Sequence, residues 1–125
     1  MKPEFKLTNS ETRLAELIWS CEPVASMELV RLAKAEFGWS KSTTFTHLKM
    51  LTEKRVAKND SSCVTMLFTR SEIVAQQSCL YVDDAFGGSL PMFVASFTSG
   101  RKLPPEQIAQ LKQLIDEHEE GAQNG

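Results

Sequence analysis

The sequence has few cysteines and no long apolar run. Its 125 residues include only Cys21, Cys63 and Cys79, which are far apart and form no CxxC or CxC pair. This pattern argues against a disulfide framework and a thiolate metal site, and it predicts buried structural thiols. No stretch approaches the roughly 18 apolar residues of a membrane span, and the opening MKPEFK has no apolar signal core. We therefore expect a cytoplasmic protein without membrane insertion.

The sequence also lacks the motifs of an enzyme. It has no glycine-rich phosphate loop, no HExxH motif and no nucleophile paired with a base. His118 lies in a run of glutamates, but a single imidazole there is more typical of a solvated helix face than of a metal site. Asp83-Asp84 has no partner base. We therefore predict a non-enzymatic protein without a metal or cofactor.

The charge is small and unevenly distributed. The net charge of −2 does not by itself indicate nucleic-acid binding. Residues 1–72 hold 11 Lys and Arg against 9 Asp and Glu, a balance of +2, whereas residues 73–125 hold 3 against 7, a balance of −4. A mildly basic first part and an acidic second part fit a chain with one end that meets a polyanion and another that meets protein.

Two amphipathic helices are predicted near the start. Thr8 and Glu11 form a capping box, and apolar residues then recur at spacings of three and four, which predicts a helix over about 9–20. A second helix begins near Ser26 and stops at Gly38.

A third helix and a hairpin follow. Ser40 caps the helix, and Thr44, Leu48 and Leu51 share the face that should pack on the first two helices. Residues 56–68 contain two short β-prone runs around an Asn-Asp-Ser-Ser turn, which predicts a hairpin. This order is that of a winged helix-turn-helix, whose third helix enters the major groove while the hairpin lies against the DNA backbone.

The remainder of the chain is predicted to be helical and unable to form a core alone. A capping box at Thr69 to Glu72 opens a helix that ends at Gly87-Gly88, and a short apolar helix and a last helix follow. Three such helices need a partner to bury their apolar faces, and a second copy is the economical one. The fold class is therefore mainly α with a small β wing: a winged helix-turn-helix DNA-binding domain over 1–71 and an α-helical dimerisation domain over 72–125. The predicted dimerisation residues are Leu80, Phe86, Phe93, Phe97, Ile108, Leu111, Leu114 and Ile115.

The outward face of the third helix is the candidate DNA-binding surface. Short hydroxyls near a helix N-terminus can hydrogen-bond phosphates or base edges, and a threonine methyl can contact thymine. The alternative is that Ser40 and Thr43 only cap the helix and the remaining side chains are solvated surface, with Phe45 a partial core residue. The candidate contacts on the helix are Ser42, Thr43, Phe45, Thr46 and Lys49, and the candidate phosphate contacts are Lys41, Lys54, Arg55 and Lys58.

Several motifs resemble those of the penicillinase-repressor family, the BlaI/MecI/CopY-type transcriptional regulators. The matching stretches are LTNSETRLAELIW, the W-S-x-x-T-x-x-T that begins at Trp39, FGGSLPMFVASF and LPPEQIAQLKQLID. The resemblance extends from about Leu7 to Glu120.

The resemblance implies a homodimeric repressor that binds a palindromic operator near antibiotic-resistance or metal-homeostasis genes. It also implies a possible second partner, a membrane sensor-protease of the BlaR/MecR type that cleaves β-lactam-responsive members before a Phe. The corresponding bond here joins Ser96 to Phe97.

The sequence departs from the family pattern at its DNA-binding face. Family members usually carry Lys or Arg where this chain has Phe45, Arg where it has Met50 and Gly where it has Arg55, and the wing holds only Lys58. Known cleaved members have Asn at the position of Ser96. Fewer cations predict a flatter dependence of DNA affinity on salt. A second interpretation is therefore an adaptor module that kept the winged-helix scaffold with weak or lost DNA binding.

Overall fold

The computed structural model describes the backbone of residues 2–124 and the side chains of residues 2–121. The elements are, in chain order, α1 (Asn9–Cys21), β1 (Val24–Ala25), α2 (Ser26–Phe37), α3 (Lys41–Glu53), β2 (Ala57–Asp60), β3 (Cys63–Met66), α4 (Arg70–Phe86), α5 (Leu90–Gly100) and α6 (Pro105–Asn124). The contacts divide the chain into two units, one up to Tyr81 and one from Val82. The predicted fold class, mainly helical with a small antiparallel sheet, is confirmed.

The start of α1 follows only half of the predicted capping box. The Thr8 hydroxyl accepts a hydrogen bond from the Glu11 N–H at 3.1 Å, as predicted. The Glu11 carboxylate, expected to bond back to the Thr8 backbone, is instead buried and binds the Lys54 ammonium. That half of the prediction was wrong because the distant cation is a stronger partner for a buried carboxylate than one amide.

The core of the first unit lies between α1, α2, α3 and the sheet. Leu14 and Ile18 of α1 and Leu29 of α2 are fully buried. The predicted inner face of α3 is confirmed, since Thr44, Leu48 and Leu51 are all buried. The buried Thr44 hydroxyl donates to the Ser40 carbonyl at 3.1 Å, so it is satisfied inside the helix.

The wing is a tight hairpin with a third strand added. β2 and β3 pair antiparallel, with Asn59 opposite Val64, which confirms the predicted hairpin. Its turn residues Ser61 and Ser62 have φ of 51° and 66°, as a two-residue turn matched to strand twist requires. The two-residue β1 was not predicted; it pairs with the other edge of β3, giving the order β1-β3-β2.

α4 begins at a complete capping box. The Thr69 N–H donates to the Glu72 carboxylate at 2.9 Å, and the Glu72 N–H donates to the Thr69 hydroxyl at 3.1 Å. The hydrogen bond that the Glu72 carboxylate accepts from the Thr69 N–H is the main cause that lowers the pKa of Glu72. Farther along α4, Ile73 is buried against the core of the first unit.

The second unit contains the end of α4, then α5 and α6. The Ser89 hydroxyl caps α5 by accepting from the Met92 N–H at 3.2 Å. Phe93 packs edge-on against Phe86, with ring centroids 5.5 Å apart, and lies 6.4 Å from the Phe97 ring.

The cysteines correct a prediction. Cys21 is half-buried, and burial raises the pKa of its thiol, but Cys63 and Cys79 are exposed. The expectation of buried thiols was wrong for these two because Cys63 begins β3 directly after the exposed turn of the wing and Cys79 lies on an outward position of α4.

Candidate nucleic-acid interface

The outward face of α3 is polar and accessible. Ser42, Thr46 and Lys49 are exposed on the side opposite the buried stripe, and Lys41 is exposed as the first residue of the helix. The Lys49 side chain is 76% exposed, and its ammonium lies 3.9 Å from the Glu53 carboxylate. An exposed pair at this separation is worth little, so the ammonium can exchange the carboxylate for a phosphate at small cost.

Hydroxyl groups form a network at the start of α3. The Ser40 hydroxyl accepts from the Thr43 N–H at 3.2 Å and donates to the Thr43 hydroxyl at 3.0 Å. The Ser42 hydroxyl lies 3.2 Å from that of Ser40. Thr46 donates its hydroxyl proton to the Ser42 carbonyl at 2.8 Å. In this rotamer the Thr46 oxygen can accept a hydrogen bond from a base amino group, while its methyl is available to thymine.

Aromatic side chains support the inner side of α3. Phe45 is half-buried and packs against the core, consistent with the partial-core alternative for this residue. The Trp39 ring lies between Phe37, at 4.8 Å, and His47, at 4.9 Å, both measured between centroids. These contacts fix the start of α3 against the end of α2.

The Lys54 ammonium is already bound by other groups of the first unit. It donates to both Glu11 oxygens, at 2.8 and 2.7 Å, and to the Lys6 carbonyl at 2.7 Å. An ammonium has three protons, so all are used, and the side chain is only 14% exposed. We therefore remove Lys54 from the candidate phosphate contacts. The spacing of 43 residues between Lys54 and Glu11 explains why local sequence patterns missed the pair.

The wing contributes little positive charge. Lys58 is exposed on β2, and Asp60 at the end of the same strand is exposed as well. The cations that remain available to a phosphate backbone on this part of the chain are therefore Lys41, Lys49, Arg55 and Lys58.

Arg55, which follows α3, has a backbone conformation that favours glycine. It is exposed, with φ of 62°, and a non-glycine residue in this region costs about 1–2 kcal/mol. We expect Arg55→Gly to raise the free energy of unfolding by about 0.5–1 kcal/mol, the gain being reduced by the greater freedom of glycine in the unfolded chain.

Urea unfolding of the variant measures this gain. The matched control is Arg55→Ala, which removes the guanidinium but keeps the unfavourable φ and should leave stability nearly unchanged. Equal stabilisation by both variants would show that charge, not backbone conformation, is responsible.

The predicted cleavage and dimerisation residues lie on the helices of the second unit or on α4. Ser96 and Phe97 are within α5, and both are exposed. Leu80, Phe86 and Phe93 are half-buried. The other predicted dimerisation residues are exposed: Ile108, Leu111, Leu114 and Ile115. Between residues 2 and 124, none of the helices combines the length and apolarity required to cross a bilayer.

Comparisons with known proteins agree with this architecture. The family model described as penicillinase repressor matches residues 7–117. The penicillinase repressor of Bacillus licheniformis is 22% identical to this chain over 122 residues, covering 94% of this chain and 95% of that protein. The predicted resemblance is thereby confirmed, and the chain belongs to the penicillinase repressor family, a family of DNA-binding transcriptional repressors.

Proposed function

We propose that this chain is a homodimeric repressor that binds a palindromic operator through the outward face of α3. The observation that carries the proposal is the division of this helix. Its Thr44, Leu48 and Leu51 are buried, whereas Ser42 and Thr46 are exposed on the other side. A rigidly packed helix with a short-chained polar outer face is what major-groove recognition requires.

The candidate contacts have different roles in this proposal. Ser42, Thr43 and Thr46 meet base edges or phosphates near the start of α3, where free backbone N–H groups also attract phosphate. Lys41, Lys49, Arg55 and Lys58 neutralise phosphates, and they set the register of the protein on the duplex. Phe45, being half-buried, offers only its outer edge to a sugar or a thymine methyl.

Exposed apolar side chains support the dimer. Ile108 and Leu111 are 41% and 38% exposed, and Leu114 and Ile115 are each 61% exposed, all on α6. A single chain leaves this face in water, and a second copy of the chain would bury it with the hydrophobic effect as the driving force. The net negative charge of residues 73–125 repels DNA phosphates and keeps this half of the chain away from the duplex.

Proteolysis between Ser96 and Phe97 is the proposed means of inactivation. The bond lies in the middle of α5, where the Arg101 guanidinium is 5.7 Å from the centroid of the Phe97 ring. A sensor-protease would need to unwind α5 locally to reach the bond. Cleavage would then disconnect α6 from the DNA-binding unit and leave each chain with only one half-site.

A salt series tests the DNA-binding proposal. We expect the affinity for the DNA upstream of the gene to fall as the salt concentration rises. In a plot of log binding constant against log salt concentration, Lys49→Met should make the slope less negative by about 1, because one phosphate contact is lost. Lys112→Met on α6 is the control and should leave the slope unchanged. Fluorescence anisotropy of a labelled duplex gives both values.

The adaptor alternative is supported by one feature of the same face. Met50 is apolar and 39% exposed on α3, where a family member usually has a cation. If the DNA affinity of the wild-type chain did not change with salt concentration, a protein-binding role for this face would be favoured.

A further inference from the structure

A short segment before α1 joins the end of α3 to the middle of α4. The segment comprises residues 4–7, and it is called the strap below. The Glu4 N–H donates to the Lys54 carbonyl at 2.8 Å, and the Lys6 carbonyl accepts from the Lys54 ammonium at 2.7 Å. Lys54 is the residue that caps the C-terminus of α3. The strap is therefore bonded twice to the end of the proposed recognition helix.

The other side of the strap is bonded to α4. The Phe5 carbonyl accepts from the Gln77 side-chain amide at 2.9 Å. Successive backbone groups of an extended segment point in opposite directions, so Glu4 and Lys6 face one helix while the Phe5 carbonyl faces another. Gln77 lies one turn beyond the buried Ile73, on the same side of α4.

Packing holds the strap in place. The Phe5 ring meets the Phe68 ring edge-on, with centroids 5.1 Å apart, and both Phe5 and Leu7 pack against the core. On α4 the buried residue is Ile73, and the ion pair of Arg70 with Glu16 is exposed and therefore weak. The bond from Gln77 to the strap thus holds α4 one turn beyond Ile73, in addition to the contacts at its start, where the Trp19 indole N–H donates to the Phe68 carbonyl at 3.0 Å.

We propose that the strap is a positioning element that couples α4 to α3, and so sets the spacing of the two recognition helices in the dimer. This inference rests on the proposed function, because it assumes that residues after α4 join the two copies. The strap touches no DNA in this account. Its effect is on the second half-site, since a bivalent protein gains affinity only when its geometry allows both sites to be occupied together.

The test uses Gln77→Glu in the full-length chain, which is isosteric but sets a carboxylate against the Phe5 carbonyl. The matched control is Gln76→Glu, which adds the same charge at the neighbouring exposed position of α4. We expect Gln77→Glu to lower the affinity for a palindromic duplex by about tenfold, with the affinity for a single half-site unchanged. The control should alter neither affinity. Gln77→Met, which removes the donor without adding charge, should behave as Gln77→Glu.

A second readout needs no DNA. Spin labels are attached to the exposed Cys63 of the wing and Cys79 of α4 in a Cys21→Ala variant. The labelled chains are diluted with unlabelled cysteine-free chains, so that the distance is measured within one chain. The width of the distance distribution reports how firmly α4 is held. We expect a narrow distance distribution in the wild type and a broader one in Gln77→Glu. An unchanged distribution, equal losses on the two duplexes or no loss on either would overturn the inference. If the wild type binds neither duplex, the proposed function fails, whereas the label distances still decide whether the strap fixes α4.

Discussion

Replacing Lys54 by methionine is expected to lower the free energy of unfolding by about 3–5 kcal/mol, because the Glu11 carboxylate is left buried without its cation. The side chain of Glu11 is 2% exposed and that of Lys54 is 14% exposed. Both carboxylate oxygens accept from the ammonium, and the Lys6 carbonyl takes its third proton. Urea unfolding followed by circular dichroism measures the loss.

Two further variants test whether the loss of stability comes from the unpaired Glu11 carboxylate. Lys49→Met removes an exposed lysine 3.9 Å from its carboxylate and should change stability by less than about 0.5 kcal/mol. The double variant Glu11→Leu with Lys54→Met removes both charges and should regain most of the loss, because replacing a buried pair by apolar groups is often neutral. A loss below about 1 kcal/mol in Lys54→Met alone would contradict the account of this pair.

Replacing Leu111 by glutamate is expected to give monomers and to lower the affinity for a palindromic operator by about 10²–10⁴-fold. Leu111 shares one face of α6 with Ile108 and Ile115. A carboxylate on this face would have to lose its water when a second copy covers it, and that cost is large without a partner charge. The change in affinity for a single half-site should be small, because the residue lies on α6 and not on α3.

Ala109→Glu is the matched control for this prediction. It introduces the same charge on α6, at an exposed position on the opposite side of the helix from Leu111. Sedimentation equilibrium gives the oligomeric state, and anisotropy with the two duplexes gives the affinities. A Leu111→Glu protein that remained dimeric, or a control that dissociated equally, would contradict the placement of the interface on this face.

Local signals made much of the first unit predictable from sequence. The caps at Thr8 and Ser40 and the periodic spacing of Leu48 and Leu51 are short-range features, and the structure reproduces the helices that they predict. The hairpin was predictable because polar residues separate two β-prone runs, although Asn59 and Asp60 of the predicted turn belong to β2 and only Ser61 and Ser62 form the turn. These features depend on neighbours within a few residues, which a single sequence displays directly.

Long-range pairs were not predictable. Glu11 looked like half of a local capping box, and Lys54 looked like a free cation, because nothing near either residue reveals a partner 43 positions away. The bond between Gln77 and Phe5 spans 72 positions, and β1 is only two residues long. The fold brings these groups together through burial of apolar side chains that lie between them. The tertiary structure therefore removes one residue, Lys54, from the predicted phosphate contacts.

We propose that two copies of this chain present their α3 helices to one duplex. Hydroxyl-radical footprinting of the purified protein on the DNA upstream of its own gene tests whether both helices bind together. We expect two protected patches, related by a dyad and centred about one helical turn apart. A single patch without a symmetric partner, or no protection at concentrations where the chain is dimeric, would contradict this proposal.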